Sequence, residues 1–127
     1  MIIVIYFNMP ENNSKIYNLQ ERTIVFSRDI RDFINNLPKT ITNIEIGRQM
    51  MRSAGSIGAN YIEADEALSK KDFIMRIKIC RKEAKESRHW LELSITSNEN
   101  TELNSRLIDE CTQLIKIFST IIKKVNG

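Results

Sequence analysis

The sequence predicts an all-α protein, and more specifically an antiparallel up-down-up-down four-helix bundle. Two prolines and four glycines are the only strong helix breakers among 127 residues, too few for the turns of a strand-rich domain. Apolar residues instead recur at spacings of three and four in four long segments, the pattern of helices with one buried face. Because short polar connections separate the segments, consecutive helices are expected to run antiparallel.

A chain of 127 residues has room for a single domain. We assign residues 14–127 to the bundle and residues 1–13 to an N-terminal extension. The opening "MIIVIYF" is too short to span a membrane and lacks the basic region and cleavage site of a signal peptide. It either precedes a natural start at Met9 or packs on a neighbouring subunit, and both remain open. We expect a cytoplasmic protein that does not contact membranes.

The first predicted helix spans about residues 15–37, with Ser14 as its N-cap and Pro38 as its stop. Its apolar stripe comprises Leu19, Thr23, Phe26, Ile30, Phe33 and Leu37. The second helix, about residues 42–68, is predicted to begin at a capping box in which Thr42 and Glu45 satisfy each other's backbone amides.

The segment Gly55-Ser56-Ile57-Gly58 in the middle of the second helix allows two interpretations. A GxxG loop clamps a nucleotide backbone in one class of RNA-binding module. Alternatively, small residues in a helix let another helix approach closely, at a cost of roughly 1 kcal/mol per interior glycine. Helical periodicity continues through both glycines and no flanking strand is predicted, so the helix is favoured. The expected oligomer or helix-packing contacts are Met50, Met51, Ala54, Ile57, Gly58 and Tyr61.

Ser69 and Asp72 form a second predicted capping box, which opens the third helix at about residues 70–96. Its core stripe comprises Phe73, Ile77, Cys80, Ala84, Ser87 and Leu91, with Trp90 and Ile95 beside it. A polar turn, "TSNENT", leads to the fourth helix at about residues 101–125. The fourth stripe comprises Leu103, Leu107, Cys111, Leu114, Phe118, Ile121 and Val125.

Candidate catalytic and metal-binding residues are scarce. His89 is the only histidine and lies on the polar side of the third helix. Glu86 and His89 match the Glu-x-x-His spacing of di-iron bundles once, but a second copy would need a second histidine. No CxxC spacing occurs, and Cys80 and Cys111 fall on apolar stripes, as reduced core thiols do. We therefore expect no catalytic residue, no metal and no cofactor.

Charge distinguishes the third helix from the rest of the chain. Residues 69–96 carry eight lysines and arginines against four aspartates and glutamates. Six of these cations lie on the side of the helix opposite the core stripe or next to that side: Lys71, Lys78, Arg81, Lys82, Lys85 and Arg88. They are either a solvated helix face or a strip that contacts the phosphates of a nucleic acid, and the residues alone leave both open.

Polar residues on the second helix are expected to pair with basic residues of the third, chiefly Arg76 and Arg81. Such pairs usually set helix register or subunit contacts. The predicted structural polar set comprises Asn60, Glu63, Arg81 and Glu86.

Two short patterns indicate a family. Ser56-Ile57, Asn60 and Glu63-Ala64 resemble a SIxxNIAE signature, and Phe73, Ile79-Cys80-Arg81 and Glu86 resemble an F…IAR…E pattern. Tyr61, Asp65 and Cys80 depart from these patterns. On these residues the chain resembles, across roughly residues 16–125, the small four helix bundle proteins. That family includes the proteins encoded by intervening sequences in 23S ribosomal RNA genes.

The resemblance implies a bacterial, non-enzymatic bundle that assembles with itself, typically as a homopentamer. Related accessory proteins of diversity-generating retroelements bind nucleic acid through a basic surface and associate with a reverse transcriptase. One hypothesis is therefore a homo-oligomer that binds RNA or DNA, with a reverse transcriptase as a further partner by analogy. The other is a purely structural or protein-interaction bundle whose basic strip is solvated.

Overall fold

The computed structural model describes residues 18–127, and in that part of the chain it contains four α-helices and no strand. We name them α1 (Leu19–Asn35), α2 (Ile41–Asp65), α3 (Lys70–Leu93) and α4 (Thr101–Asn126). None of these helices is both long and apolar enough to cross a membrane. The predicted all-α bundle is confirmed.

α1 is described as a shorter helix than the sequence predicted. Asn18 has an extended backbone, and its side-chain oxygen accepts hydrogen bonds from the N–H groups two and three residues later, so the helix begins at Leu19. Ser14, the predicted N-cap, lies outside the described residues. The helix ends at Asn35, which leaves room for the turn before Pro38.

The capping box predicted for α2 is wrong by two residues. Thr40, rather than Thr42, has the extended backbone of an N-cap, and its hydroxyl accepts a hydrogen bond from the Asn43 N–H at 3.1 Å. The Thr40 N–H donates to the Pro38 carbonyl at 2.9 Å, and this tight turn places Thr40 at the helix entrance. Glu45 is consequently an exposed residue inside the helix.

α2 and α3 both end earlier than predicted. α2 ends at Asp65, before Leu68, which is 98% exposed. α3 ends at Leu93, and Ile95, expected beside the core stripe, is 57% exposed. The start of α3 is as predicted, because the Ser69 hydroxyl accepts a hydrogen bond from the N–H three residues later at 3.1 Å.

Contacts between neighbouring helices show that they run antiparallel. Arg81 and Arg88 of α3 meet Ser119 and Thr112 of α4, so residue numbers rise along one helix as they fall along the other. α2 packs most extensively on α3, α3 next on α4, and α1 on α2. This order is that of an up-down-up-down bundle.

The ring of helices closes where α1 meets α4, the least extensive of these contacts. An ion pair between Arg22 and Glu110 (2.8 Å) joins the two helices, and the Arg22 guanidinium also donates to Gln113. The hydrogen bond to Glu110 raises the pKa of Arg22. A longer pair, Arg106–Asp29 at 3.8 Å, lies further along the same contact.

The core is built from the predicted stripes. Every residue predicted on the α1 and α3 stripes is buried, and on α4 only Leu103 and Val125 are partly exposed. The hydroxyls of Ser53 and Ser87 hydrogen-bond to each other at 2.8 Å inside the core, which satisfies two buried polar groups at once. The largest fully buried side chains include Phe26, Phe33, Phe73 and Phe118.

The GxxG segment is helical, as the periodicity predicted, and its two glycines face different surroundings. A Cβ atom at Gly58 would lie 3.3 Å from the Thr23 hydroxyl oxygen of α1, so the missing side chain permits a close helix crossing. A Cβ atom at Gly55 would meet nothing within 4 Å. Gly58 therefore has a packing role, whereas Gly55 borders open space.

Two buried asparagines tie the connecting segments together at one end of the bundle. The Asn43 side chain donates to the carbonyls of Pro38 and Ile95 (both 2.9 Å) and accepts from the Ile95 N–H at 3.1 Å. Asn100 donates from its side chain to the Asn36 carbonyl at 3.0 Å. These bonds satisfy backbone groups that the helices leave unpaired.

Candidate nucleic-acid interface

The charged residues of α3 divide between two sides of the helix. Of its four acidic residues, the two in the middle of the helix, Glu83 and Glu86, turn towards α2, where the Arg52 guanidinium reaches both carboxylates, Glu83 at 3.5 Å. The Trp90 indole N–H also donates to Glu86, at 3.3 Å. Glu83 is buried, so this pairing compensates a carboxylate that has little access to water.

A second polar contact joins α2 and α3 further along the same pair of helices. The Arg76 guanidinium donates to the Asn60 side-chain oxygen at 3.0 Å, and the Asn60 amide donates back to the Ser56 carbonyl and hydroxyl. The expected pairing of α2 polar residues with Arg76 is thus confirmed for Asn60. The expected pairing with Arg81 is wrong, because Arg81 lies on the side of α3 that faces α4. Glu63 is exposed and makes no ion pair within the described residues.

The outer face of α3 carries four exposed lysines. No hydrogen bond or ion pair joins their ammonium groups to any other residue between positions 18 and 127. They are Lys71, Lys78, Lys82 and Lys85. Their charges are therefore not neutralised by a paired carboxylate and are accessible from solvent.

Arg81 and Arg88 border this face on the α4 side and are half-buried. Arg81 donates to the Ser119 hydroxyl at 3.3 Å, and Arg88 donates to the Thr112 hydroxyl at 3.2 Å. Both partners are neutral, so each guanidinium keeps its full positive charge. We call these six predicted cations of α3, four exposed lysines and two half-buried arginines at the border with α4, the basic face.

No group of three or more histidine, cysteine, aspartate or glutamate side chains between residues 18 and 127 is arranged to hold a metal ion. His89 is exposed and packs edge-on against Trp90, with ring centroids 4.8 Å apart. Glu86, its partner in the single Glu-x-x-His match, is directed towards Arg52 instead.

Both cysteines are free and fully buried. Burial raises the pKa of each thiol to about 12, and the Cys80 thiol donates to the Ile57 carbonyl at 3.4 Å. A protonated, inaccessible thiol reacts poorly with electrophiles.

We expect Cys80 and Cys111 to react slowly with a thiol reagent at neutral pH in the native protein, and quickly after unfolding. Labelling followed by mass spectrometry, with and without denaturant, measures both rates. Rapid labelling of either thiol in the native protein would contradict its place in the core.

The predicted packing residues of α2 fall into two groups. Met50, Ala54, Ile57 and Tyr61 are buried inside the chain's own core, and burial raises the pKa of the Tyr61 hydroxyl. Met51 and Gly58 are only partly buried and border an open groove between α1 and α2. Only this second pair is accessible to a neighbouring subunit.

The α1–α2 groove has a volume of about 380 Å³ and a largely apolar wall. Ile24 of α1 is 41% exposed there and Ile62 of α2 is 45% exposed. The residues that we take to define the groove are Ile24, Met51, Gly55, Gly58, Ala59 and Ile62. Exposed apolar surface of this kind is typical of protein contacts.

Comparison with known proteins assigns the chain to a family. The family described as "23S rRNA-intervening sequence protein" matches residues 15–120, which is most of the chain. The chain belongs to this family.

A solved structure supports the same assignment. It is a crystal structure of a protein of unknown function from the S23 ribosomal protein family of Bacteroides thetaiotaomicron. The two proteins are 32% identical with a TM-score of 0.72, and the match covers 82% of this chain and 94% of that chain. Among curated proteins no match is found.

In this member of the family, several of the signature residues lie between α2 and α3. Ser56 and Asn60 form the hydrogen-bonded step on α2, and Glu86 is the acceptor on α3 for Arg52 and Trp90. These residues help to hold α2 and α3 in register and do not pair with the lysines of the basic face. These signature residues therefore serve the packing of α2 on α3, whereas the signature residue Arg81 lies on the basic face.

Sequence reasoning missed Arg52, which pairs with Glu83 and Glu86 of α3. The available signal was the position of Glu83 next to Ala84 of the core stripe, where a carboxylate with little access to water is compensated by a cation on a neighbouring helix. It also missed Ile24 and Ile62, whose exposure depends on how closely α1 and α2 approach each other.

Proposed function

We propose that this protein is a non-enzymatic homo-oligomer that binds nucleic acid through the basic face of α3. One observation carries the proposal: Arg52 pairs with the acidic residues in the middle of α3, while the outward lysines of this helix have no anionic partner within residues 18–127. Cations that are free of carboxylates can neutralise phosphates and release the counterions condensed on a nucleic acid.

The chemistry of the face favours contacts to the phosphate backbone. Lysines on a convex helix surface reach backbone oxygens more readily than base edges, and phosphate contacts carry no sequence information. Binding is therefore expected to show little sequence preference and to weaken steeply with salt.

Self-association would present several copies of the basic face to one nucleic acid. The exposed apolar α1–α2 groove supports a contact with a second copy of the chain, and linked weak contacts add through multivalency. The family resemblance is the only basis for a pentamer. A reverse transcriptase partner and a cytoplasmic location are proposed on the same basis.

RNA is the first nucleic acid to test. The description of the family names an intervening sequence of 23S rRNA, and that of the solved relative names a ribosomal protein family. Each statement concerns the family or the relative, and it guides the choice of probe for this chain.

Replacing Lys78, Lys82 and Lys85 together with glutamine is expected to weaken RNA binding at low salt by about tenfold or more, because three phosphate contacts per subunit are lost. Helix content and oligomer mass should not change, since these side chains lie opposite the core. Fluorescence anisotropy, circular dichroism and light scattering measure the three quantities.

A matched control removes the same charge elsewhere. Lys39, Arg48 and Lys70 are exposed residues outside the basic face that make no ion pair within residues 18–127, and their joint replacement with glutamine should leave most of the affinity intact. Equal losses in the two triple variants would mean that the affinity follows net charge and that α3 is not the binding face. No binding by the wild-type protein would favour the structural bundle with a solvated basic face.

A further inference from the structure

On the side of the basic face that borders α4, the cations are two arginines that hydrogen-bond to α4. Arg81 and Arg88 are seven residues apart, which places them about 10 Å apart on the same side of α3. Each donates one N–H to a hydroxyl of α4, at 3.3 Å and 3.2 Å respectively. A guanidinium has five N–H donors, so donors remain on both side chains after these bonds.

α4 supplies a second row of cations along this contact. Lys116 lies between Thr112 and Ser119 in the sequence, and Lys123 follows Ser119 by one helical turn. Because α3 and α4 are antiparallel, Lys116 is level with the segment between the two arginines, and Lys123 lies beyond Arg81. Both lysines are exposed and have no ion pair within the described residues.

The first row of cations lies on α3, where two lysines accompany Arg81 and Arg88. Lys85 lies between Arg81 and Arg88, and Lys78 precedes Arg81 by about one turn. We call the combined surface the α3–α4 seam. It comprises Lys78, Arg81, Lys85, Arg88, Lys116 and Lys123.

Acidic residues are absent from this stretch. No aspartate or glutamate occurs in α4 after Glu110, and between Lys78 and Arg88 of α3 the only two are Glu83 and Glu86, which pair with Arg52 on the opposite side. Within residues 18–127, six cations therefore follow the seam in two rows with no anion between the levels of Arg88 and Lys123. The acidic residues Glu92 and Glu110 lie near Cys111, at the Arg88 end of the seam.

No phenylalanine, tyrosine or tryptophan among residues 18–127 lies on the seam. The described phenylalanines and Tyr61 are buried, and Trp90 lies on the α2 side of α3, where it donates to Glu86. Proteins that bind single strands depend on aromatic platforms for base stacking. The exposed ring nearest to this surface within residues 18–127 is His89, which packs edge-on against Trp90. A surface on which cations predominate in this way suits the regularly spaced phosphates of a duplex.

We infer that the α3–α4 seam holds the phosphodiester backbone of a double-stranded nucleic acid, with Lys116 and Lys123 of α4 as contacts alongside those of α3. This inference rests on the proposed function and narrows it in two ways: the binding surface extends onto α4, and the ligand is a duplex. Lys71 and Lys82, which lie further from α4 on the basic face, contribute less.

The test uses the full-length protein with a short RNA duplex, a DNA duplex of the same sequence, and the separate strands. Lys116→Gln with Lys123→Gln is compared with Lys71→Gln with Lys82→Gln, which removes the same charge from α3. The seam variant should lose about tenfold in duplex affinity at low salt, and its salt slope should fall by about 1 per lysine. The control variant should lose markedly less.

Two results would overturn the inference and leave the proposed function standing. One is wild-type duplex affinity in the Lys116/Lys123 variant while the Lys78/Lys82/Lys85 variant binds weakly. The other is binding of single strands as tight as, or tighter than, that of either duplex. If the wild-type protein binds none of the probes at low salt, the proposed function fails as well. Comparison of the RNA and DNA duplexes identifies which backbone is preferred.

Discussion

If the protein self-associates through the α1–α2 groove as proposed, replacing Ile62 with aspartate is expected to give a monomer of 14.8 kDa. Ile62 is 45% exposed on the wall of the α1–α2 groove, and a partner that covered this groove would have to bury the new carboxylate. An unpaired buried charge is costly enough to abolish a contact of moderate size. Because the position is at the surface of a single chain, the bundle itself should remain folded.

Met75→Asp provides the matched control for this prediction. Met75 is 48% exposed, almost the same as Ile62, but it lies on the outer side of α3 and not in the groove. Light scattering at micromolar concentration should give an oligomer for the wild type and for Met75→Asp, and a monomer for Ile62→Asp. A monomeric wild type would contradict the proposed self-association. An oligomeric Ile62→Asp variant would show that the subunits do not meet through this groove.

Gly58→Leu is expected to destabilise the bundle by about 1–3 kcal/mol, the usual cost of forcing extra carbon atoms into a packed interface. A Cβ atom at this position already lies 3.3 Å from the Thr23 hydroxyl oxygen, and the rest of the leucine side chain must enter the crossing of α1 and α2. The higher helix propensity of leucine offsets up to about 1 kcal/mol of this cost.

Gly55→Ala should have the opposite effect. Nothing lies within 4 Å of its added Cβ atom, so the gain in helix propensity, up to about 1 kcal/mol, is not opposed inside the chain. Urea unfolding of both variants in the Ile62→Asp background separates these effects from subunit contacts. Equal stability of Gly58→Leu and its parent would show that α1 and α2 do not approach closely at Gly58.

The fold could be predicted from the sequence because its signals are local and repeated. Apolar residues at spacings of three and four on every helix, few breakers and short polar connections all indicate the same bundle. The helix ends were predicted less well. Thr40 caps α2 instead of Thr42 because a turn formed by Pro38 decides which threonine stands at the entrance.

The sequence predicted which residues belong to the candidate site. It did not predict which of them face α2, which face α4 and which face solvent. Helical periodicity separates the core side of α3 from its outer side, but it does not say which neighbour each flank meets. Arg81 was assigned to α2 and in fact donates to Ser119 of α4. Arg52, Asn43 and Asn100 were overlooked because their partners are distant in sequence and become neighbours only through the packing of the bundle.

The central claim is that the basic face of α3 binds nucleic acid, and a salt titration of wild-type binding tests it most directly. A labelled RNA duplex is titrated with the full-length protein at several salt concentrations, and affinity is followed by fluorescence anisotropy. We predict saturable binding at low salt, with the logarithm of the association constant falling linearly with the logarithm of salt concentration by about 0.9 per neutralised phosphate. No binding at low salt, or an affinity that does not change with salt, would contradict the claim.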